Sequence, residues 1–253
     1  MRRRGESSVI ADLMQSGSSK LMFPHPQGDA LQAVWLNTAG GITGGDDFSL
    51  SVEVAPEAKV ALTTQAAERI YRAVPGAPGR VRTRLSAGQG AMLHWLPQET
   101  ILFDRGSLDR TLSVDLAGCA SFLGIETLIF GRAAMGERVR DLHLRDRIDL
   151  RVDGTLVYAD RLALDGDAET TLGRPHVADG AGAVATLILA APGASGRLDS
   201  IRTGLPDTAG ASAPSEDLVV ARLLAPDGFE MRRTLVPLLT ALSDAPLPRP
   251  WMI

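Results

Sequence analysis

The chain has one cysteine, few aromatic residues, no dominance of either charge and no long apolar run, and each shortage closes off a class of explanation. With Cys119 alone, an internal disulfide is impossible. Aromatic residues make up only 4% of 253 residues, so the core must be built from Leu, Val, Ile and Ala. A net charge of −4, with acids and bases interspersed, offers no broad positive field for a phosphate backbone, and nucleic acid is not an expected partner. No stretch is long and apolar enough to cross a bilayer, and the N-terminus lacks the charged, apolar, small-residue order of a signal peptide. A soluble, cytoplasmic protein is expected, with Arg2 to Arg4 as a solvated tail.

What is present favours short strands. The 26 glycines and 15 prolines imply many turns. Phe48, Leu50, Val52 and Val54 alternate with polar residues, as do Val81, Thr83 and Leu85, and again Leu112, Val114 and Leu116. This is the period-two pattern of strands with one dry face. Each strand runs into a small-residue turn, Ala55-Pro56-Glu57-Ala58, Ala87-Gly88-Gln89-Gly90-Ala91 or Ala117-Gly118-Cys119-Ala120, and then into a second apolar run. The turns recur about every thirty residues, which predicts stacked β units that cover one another's apolar faces, with a one-residue slip in register between copies. Asp153-Gly154 between alternating runs predicts a hairpin, and Ala183 to Ala190 reads as a buried strand. Ser195 to Pro214 is read as a flexible loop and Leu218 to Leu224 as a last strand. Asp227 can cap a helix whose Phe229, Leu235, Leu238, Leu239 and Leu242 share a face despite Pro237. The tail from Pro246 to Trp251 is expected to be extended.

The segments with chemical potential are few. Gly40 to Asp47 lacks the Lys-Ser/Thr ending of a phosphate loop and ends in two carboxylates before a strand. It is a glycine turn with close backbone approach, or it turns Asp46 or Asp47 towards a polar cavity. His25, His94, His143 and His176 are far apart, without metal-site spacing, and His94 beside Trp95 reads as buried and hydrogen-bonded. No Gly-x-Ser-x-Gly elbow or Cys-His pairing offers a nucleophile. Glu99, Asp104, Glu126 and Glu137 could be brought together as paired carboxylates by folding, as in a glycosidase. Pro97 to Asp104 is either an edge strand after a proline bend or a surface for a partner.

Taken together, Gly17-Ser18-Ser19-Lys20-Leu21 with Pro24, Leu36 to Asp46, Leu62 to Arg72, Leu96 to Asp104, Gly131-Arg132 with Gly136-Glu137, and Leu247-Pro248-Arg249 with Trp251 resemble the UreD (UreH) family of urease accessory proteins, in the family's order and over nearly the whole chain. Asp47 departs from the family, which often has a basic residue there, and relatives carry further sequence before the Gly17 segment. The resemblance implies a single domain over residues 1–253 with an elongated, β-helix-like stack of strands and a small helical part near the C-terminus. It implies a scaffold or chaperone rather than an enzyme, assembling with UreF, the GTPase UreG and apo-urease into a larger complex. No tightly bound cofactor is implied, only nickel in transit along an internal path. Asp46, Asp47, Glu99, Asp104, Glu126 and Glu137 are candidates for lining that path. Gln65, Arg69, Tyr71, Arg72, Leu238, Leu242 and Trp251 are candidates for binding partners. The alternative is a carbohydrate-active hydrolase or binding module on a β-solenoid.

Overall fold

Alternating strands separated by turns of equal length can stack only if each coil lies in register on the last, and that is the arrangement found. A computed structural model describes residues 1–25 and 28–252. The strands before the coils are β1 (Arg2–Arg4), β2 (Ser7–Val9) and β3 (Ser19–Met22). The coils use β4 (Leu31–Asn37), β5 (Asp47–Val54), β6 (Lys59–Thr64), β7 (Glu68–Ile70), β8 (Gly79–Ala87), β9 (Met92–Leu96), β10 (Thr100–Leu102), β11 (Ser107–Leu116), β12 (Ser121–Phe130) and β13 (Leu142–Val152). One wall of the solenoid is the parallel ladder β4-β6-β9-β12 and the second is β5-β8-β11-β13. A short third wall stacks Ile42, β7, β10 and the end of β12.

The expected one-residue slip is absent. Val54, Ala87 and Leu116 lie on one rung, and Lys59, Met92 and Ser121 lie on the next after turns of equal length. Ala87 is therefore the last inward strand residue, and Gly88 is the turn counterpart of Ala55 and Ala117. Unequal coil lengths are absorbed on the third wall. There the Pro97–Asp104 segment contains β10, which pairs with β7 on one side and β12 on the other, so it is not an edge strand.

β14 (Thr155–Gly166) folds back antiparallel on β13 through Asp153 (φ 48°) and Gly154 (φ 77°), the positive-φ pair of a tight hairpin. After the short helix α1 (Ala168–Leu172), β15 (Ala183–Ala190) pairs antiparallel with β12 and extends the first wall. Helix α2 (Leu198–Thr203) and strand β16 (Ala209–Ser215) occupy the segment expected to be a loop. Its small residues suit an outermost strand, paired among the described residues with β17 (Leu218–Ala225) alone, and Pro214 falls where that pairing is irregular.

Two cores result. One fills the bore of the solenoid, and the other lies between the outer face of the extended wall and helix α3 (Gly228–Leu242). Asp227 caps α3 by accepting a hydrogen bond from the Glu230 amide at 2.9 Å. Leu235, Leu238, Leu239 and Leu242 are buried, together with Met231, whereas Phe229, expected on the same face, is 70% exposed because it lies in the first turn. The tail is not extended throughout. Arg249–Met252 forms a 3-10 turn in which the Trp251 amide donates to the Pro248 carbonyl, and proline suits a first turn because no partner is needed for its nitrogen. Arg2 to Arg4 is exposed as expected, but it is paired with Ser7–Val9 in a short hairpin.

Candidate functional site in the bore

Strand alternation sends Leu108, Arg110 and Leu112 inward from β11, and Leu144, Asp146 and Ile148 inward from β13. From the opposite wall, Gly124, Glu126 and Leu128 of β12 share the inward phase. The result is a buried ionic cluster in the middle of an otherwise apolar bore. The Arg110 guanidinium donates through Nε and Nη2 to the two oxygens of Asp146, at 2.9 and 2.6 Å. Its Nη1 lies 2.6 Å from Glu126 Oε2 and donates to Thr100 Oγ1 at 3.1 Å. Trp95 Nε1 donates to Glu126 Oε1 at 2.7 Å. The three charged residues are each 7–8% exposed.

One cation thus faces two carboxylates in a dry place. Burial opposes the charge on Arg110, but Asp146 and Glu126 outweigh it and hold the guanidinium charged. Burial, reinforced by Asp146, pushes Glu126 above the usual carboxylate range despite Arg110 and the Trp95 hydrogen bond. Buried ion clusters of this kind add little net stability relative to apolar packing, since desolvation offsets most of the attraction.

A cavity of about 40 Å³ adjoins the cluster, lined in part by Glu68, Gln98, Thr100, Arg110 and Glu126. Its walls are mostly apolar, with Trp35, Ile70, Val81, Leu108 and Leu112 beside these polar groups, and its size is that of a water molecule. Gln98, 7% exposed, gives its carbonyl oxygen to Arg232 Nη1 at 2.8 Å, while its amide nitrogen has no protein partner. Glu68 is raised above the ordinary carboxylate range by burial, in spite of hydrogen bonds from Asn37 and the Arg69 amide. A space this small holds no sugar ring, since ligand pockets usually exceed about 300 Å³. The carboxylate pair is therefore unsuited to the hydrolase alternative.

Of the six acids expected on an internal path, only Glu126 is in the bore. Asp46 accepts from the Thr43 amide at 2.9 Å, and Asp47 pairs with Arg82 at 2.7 Å. Both line an open groove of about 590 Å³ between β5 and the Ile10–Phe23 segment. Asp104 and Glu137 do come together, on the outside of the third wall. Asp104 accepts from the amides of Arg140 and Asp141. Glu137 accepts from the Asp104 amide and from Arg132, and these bonds hold it below the usual range against the effect of burial. Glu99 is half-buried, and its backbone carbonyl accepts from the Glu68 amide. Among the described residues no group of three or more His, Cys, Asp and Glu side chains could hold a metal ion.

Gly41 and Gly45 have φ of 159° and 85°, and a Cβ on Gly41 would lie 2.2 Å from the Tyr71 ring, so the backbone approaches closely here while Asp46 and Asp47 also face the open groove. His94 is buried as expected, with Nδ1 3.2 Å from Ser243 Oγ, and burial pulls its pKa down to about 4. Among the expected partner contacts, Gln65, Arg69, Tyr71 and Arg72 are exposed near the third wall, where Tyr71 packs edge-on against Phe103 at 5.2 Å. Leu238, Leu242 and Trp251 are different. They are 7%, 4% and 4% exposed, packed under α3 and the tail, so they stabilise the chain itself and are not available to a partner.

Glu68, Arg110 and Asp146 were not singled out from the sequence. The signal was present for two of them: Arg110 and Asp146 share the phase of leucines on alternating strands, where a solvated charge would not fall.

Comparison with known proteins places the chain in a family. The family described as UreD urease accessory protein matches residues 1–252. A "Urease accessory protein UreD" from Ruegeria pomeroyi is 47% identical over 249 residues, covering 98% of this chain and 97% of the relative. Proteins of the same name from Roseobacter denitrificans and Paracoccus denitrificans are 46% and 45% identical, covering 100% of this chain and 92% and 93% of their own lengths.

Proposed function

Because the chain belongs to the UreD urease accessory protein family, we propose that it serves urease maturation as a non-catalytic scaffold that binds apo-urease together with UreF and UreG and assists delivery of nickel to the urease active site. The family match over nearly the entire chain carries this reading. The bore supports it, because its buried groups are the oxygen ligands that hold a divalent cation without enclosing it in a high-affinity cage. Glu68 and Glu126, which both line the small cavity, are the acids placed to meet a cation in transit, and they replace the exterior acids as first choices. Gln65, Arg69, Tyr71 and Arg72, exposed residues of the 65–72 segment, are proposed to meet a partner.

The test is co-expression of the chain with UreF, UreG and apo-urease, followed by co-elution, metal analysis and urease activity. Glu126→Gln and Glu68→Gln are expected to co-elute normally and to lower urease activation by about tenfold, the scale on which altering a metal ligand's surroundings acts. Full activation by both variants would overturn the internal path. Absence of co-elution with any urease component would overturn the scaffold.

A further inference from the structure

We propose that Arg110 is a tethered counter-cation that closes the bore to divalent metal ions, so that a metal ion reaches Glu126 and Asp146 only when the guanidinium has left them. This deepens the reading above and rests on it for the identity of the ion. The first support is steric. From β11 in one wall, the guanidinium reaches Glu126 in the opposite wall, Thr100 in the third, and Asp146 in the coil above its own, so it spans the cross-section of the bore. Asp146 does not line the cavity that Arg110 and Glu126 line, so the guanidinium stands between the water-sized space and the second carboxylate.

The second support is saturation. Both oxygens of Asp146 accept from Arg110, and the two oxygens of Glu126 are taken by Arg110 and Trp95. Every oxygen of the two carboxylates thus already has a donor, and a metal ion approaching either of them meets the guanidinium charge first. Charge supplies the reason for it to yield. A guanidinium leaves the pair one negative charge in excess, whereas a divalent ion neutralises it.

The third support is a place to go. The cavity on the near side of Arg110 has the unpartnered Gln98 amide and the Glu68 carboxylate on its walls. Water there can take over the hydrogen bonds of a departing guanidinium, and Glu68 can take over its charge. Arginine is suited to such a plug because its planar fork reaches several partners at once, and beside the same two carboxylates a lysine in its place keeps its proton too.

The test uses the purified full-length chain, free of metal, dialysed against NiCl2 and analysed for bound nickel. Arg110→Met is expected to bind one Ni²⁺ per chain at least about tenfold more tightly than the wild type. Arg110→Lys, which keeps a cation in the bore, is expected to bind as the wild type does. Adding Glu126→Gln to Arg110→Met is expected to abolish the gain. If Arg110→Met does not fold without metal, added Ni²⁺ is expected to restore its β circular-dichroism spectrum. The plug is wrong if Arg110→Met folds and gains no affinity, if the gain survives Glu126→Gln, if Arg110→Lys gains equally, or if an unfolded Arg110→Met is not restored by Ni²⁺. These arms need no urease. Their failure would leave the activation result for Glu126→Gln standing, and a lost activation result would leave them standing.

Discussion

At the scale of single residues, the fold makes two titratable side chains pay for burial in opposite directions. His94 sits under the end of α3 with Ser243 and Asp244 as its polar neighbours, and it is held neutral down to about pH 4. An unfolded chain takes up that proton near pH 6.5, so the folded state keeps its full stability above that point and loses it as pH falls towards 4. The loss over that window is about 3 kcal/mol for this one group. His94→Gln removes the proton-binding site in both states, so the stability gap between wild type and variant, measured by urea unfolding, is expected to move against the wild type between pH 7 and pH 4. A gap independent of pH would show that His94 is not held neutral. Glu68 has the opposite sign. Its raised pKa means that the folded chain gives up its proton late, and its charged form weakens the fold at neutral pH.

At the scale of elements, α3 is where local signals and tertiary contacts can be separated. Asp227→Ala removes a hydrogen bond to the first turn and is expected to cost about 1 kcal/mol by urea unfolding. Trp251→Ala empties a fully packed site in which the indole nitrogen also donates to the Leu96 carbonyl at 2.8 Å, and is expected to cost about 3–5 kcal/mol. A loss for Trp251→Ala no larger than that for Asp227→Ala would place this residue at a surface, where the sequence alone had put it.

The difference between those two positions also explains what could be read in advance. Caps, hairpin turns and strand alternation are set by neighbours in the chain, so Asp227, the Asp153-Gly154 turn and Ala183–Ala190 were legible. Burial of Trp251 and pairing of β16 depend on contacts far along the chain, and a run rich in Ala, Gly, Ser and Pro gave no local hint of them. The bore was half legible. Glu126 was among the candidate acids, while Arg110 next to Asp109 and Asp146 next to Arg145 carry no local mark that separates them from surface charges until the phase of each strand is fixed.

At the scale of the whole molecule, equal turns hold the coils in register while the third wall absorbs differences in length. A single glycine inserted after Glu57 makes that turn unequal to its neighbours and should displace β6 against β4 and β9, and it is expected to lower the thermal midpoint by about 10 °C or more, several kcal/mol for a domain of this size. The same insertion after Gly76, in an exposed loop of the third wall, is expected to leave the midpoint within about 2 °C. Equal effects at the two sites would mean that register along the stack contributes little to stability.

The stack also ends differently at its two extremities. In the parallel ladder's first coil, β5 has no strand partner on its outer side among the described residues and faces the Ile10–Phe23 segment across the groove, with Met1 bonded near its end, whereas the fourth coil is closed by the antiparallel hairpin of β13 and β14. The two ends of this wall therefore do not continue one another as parallel coils. Solenoids with two open parallel edges can polymerise into fibres, and here the reversal of a single strand removes that route.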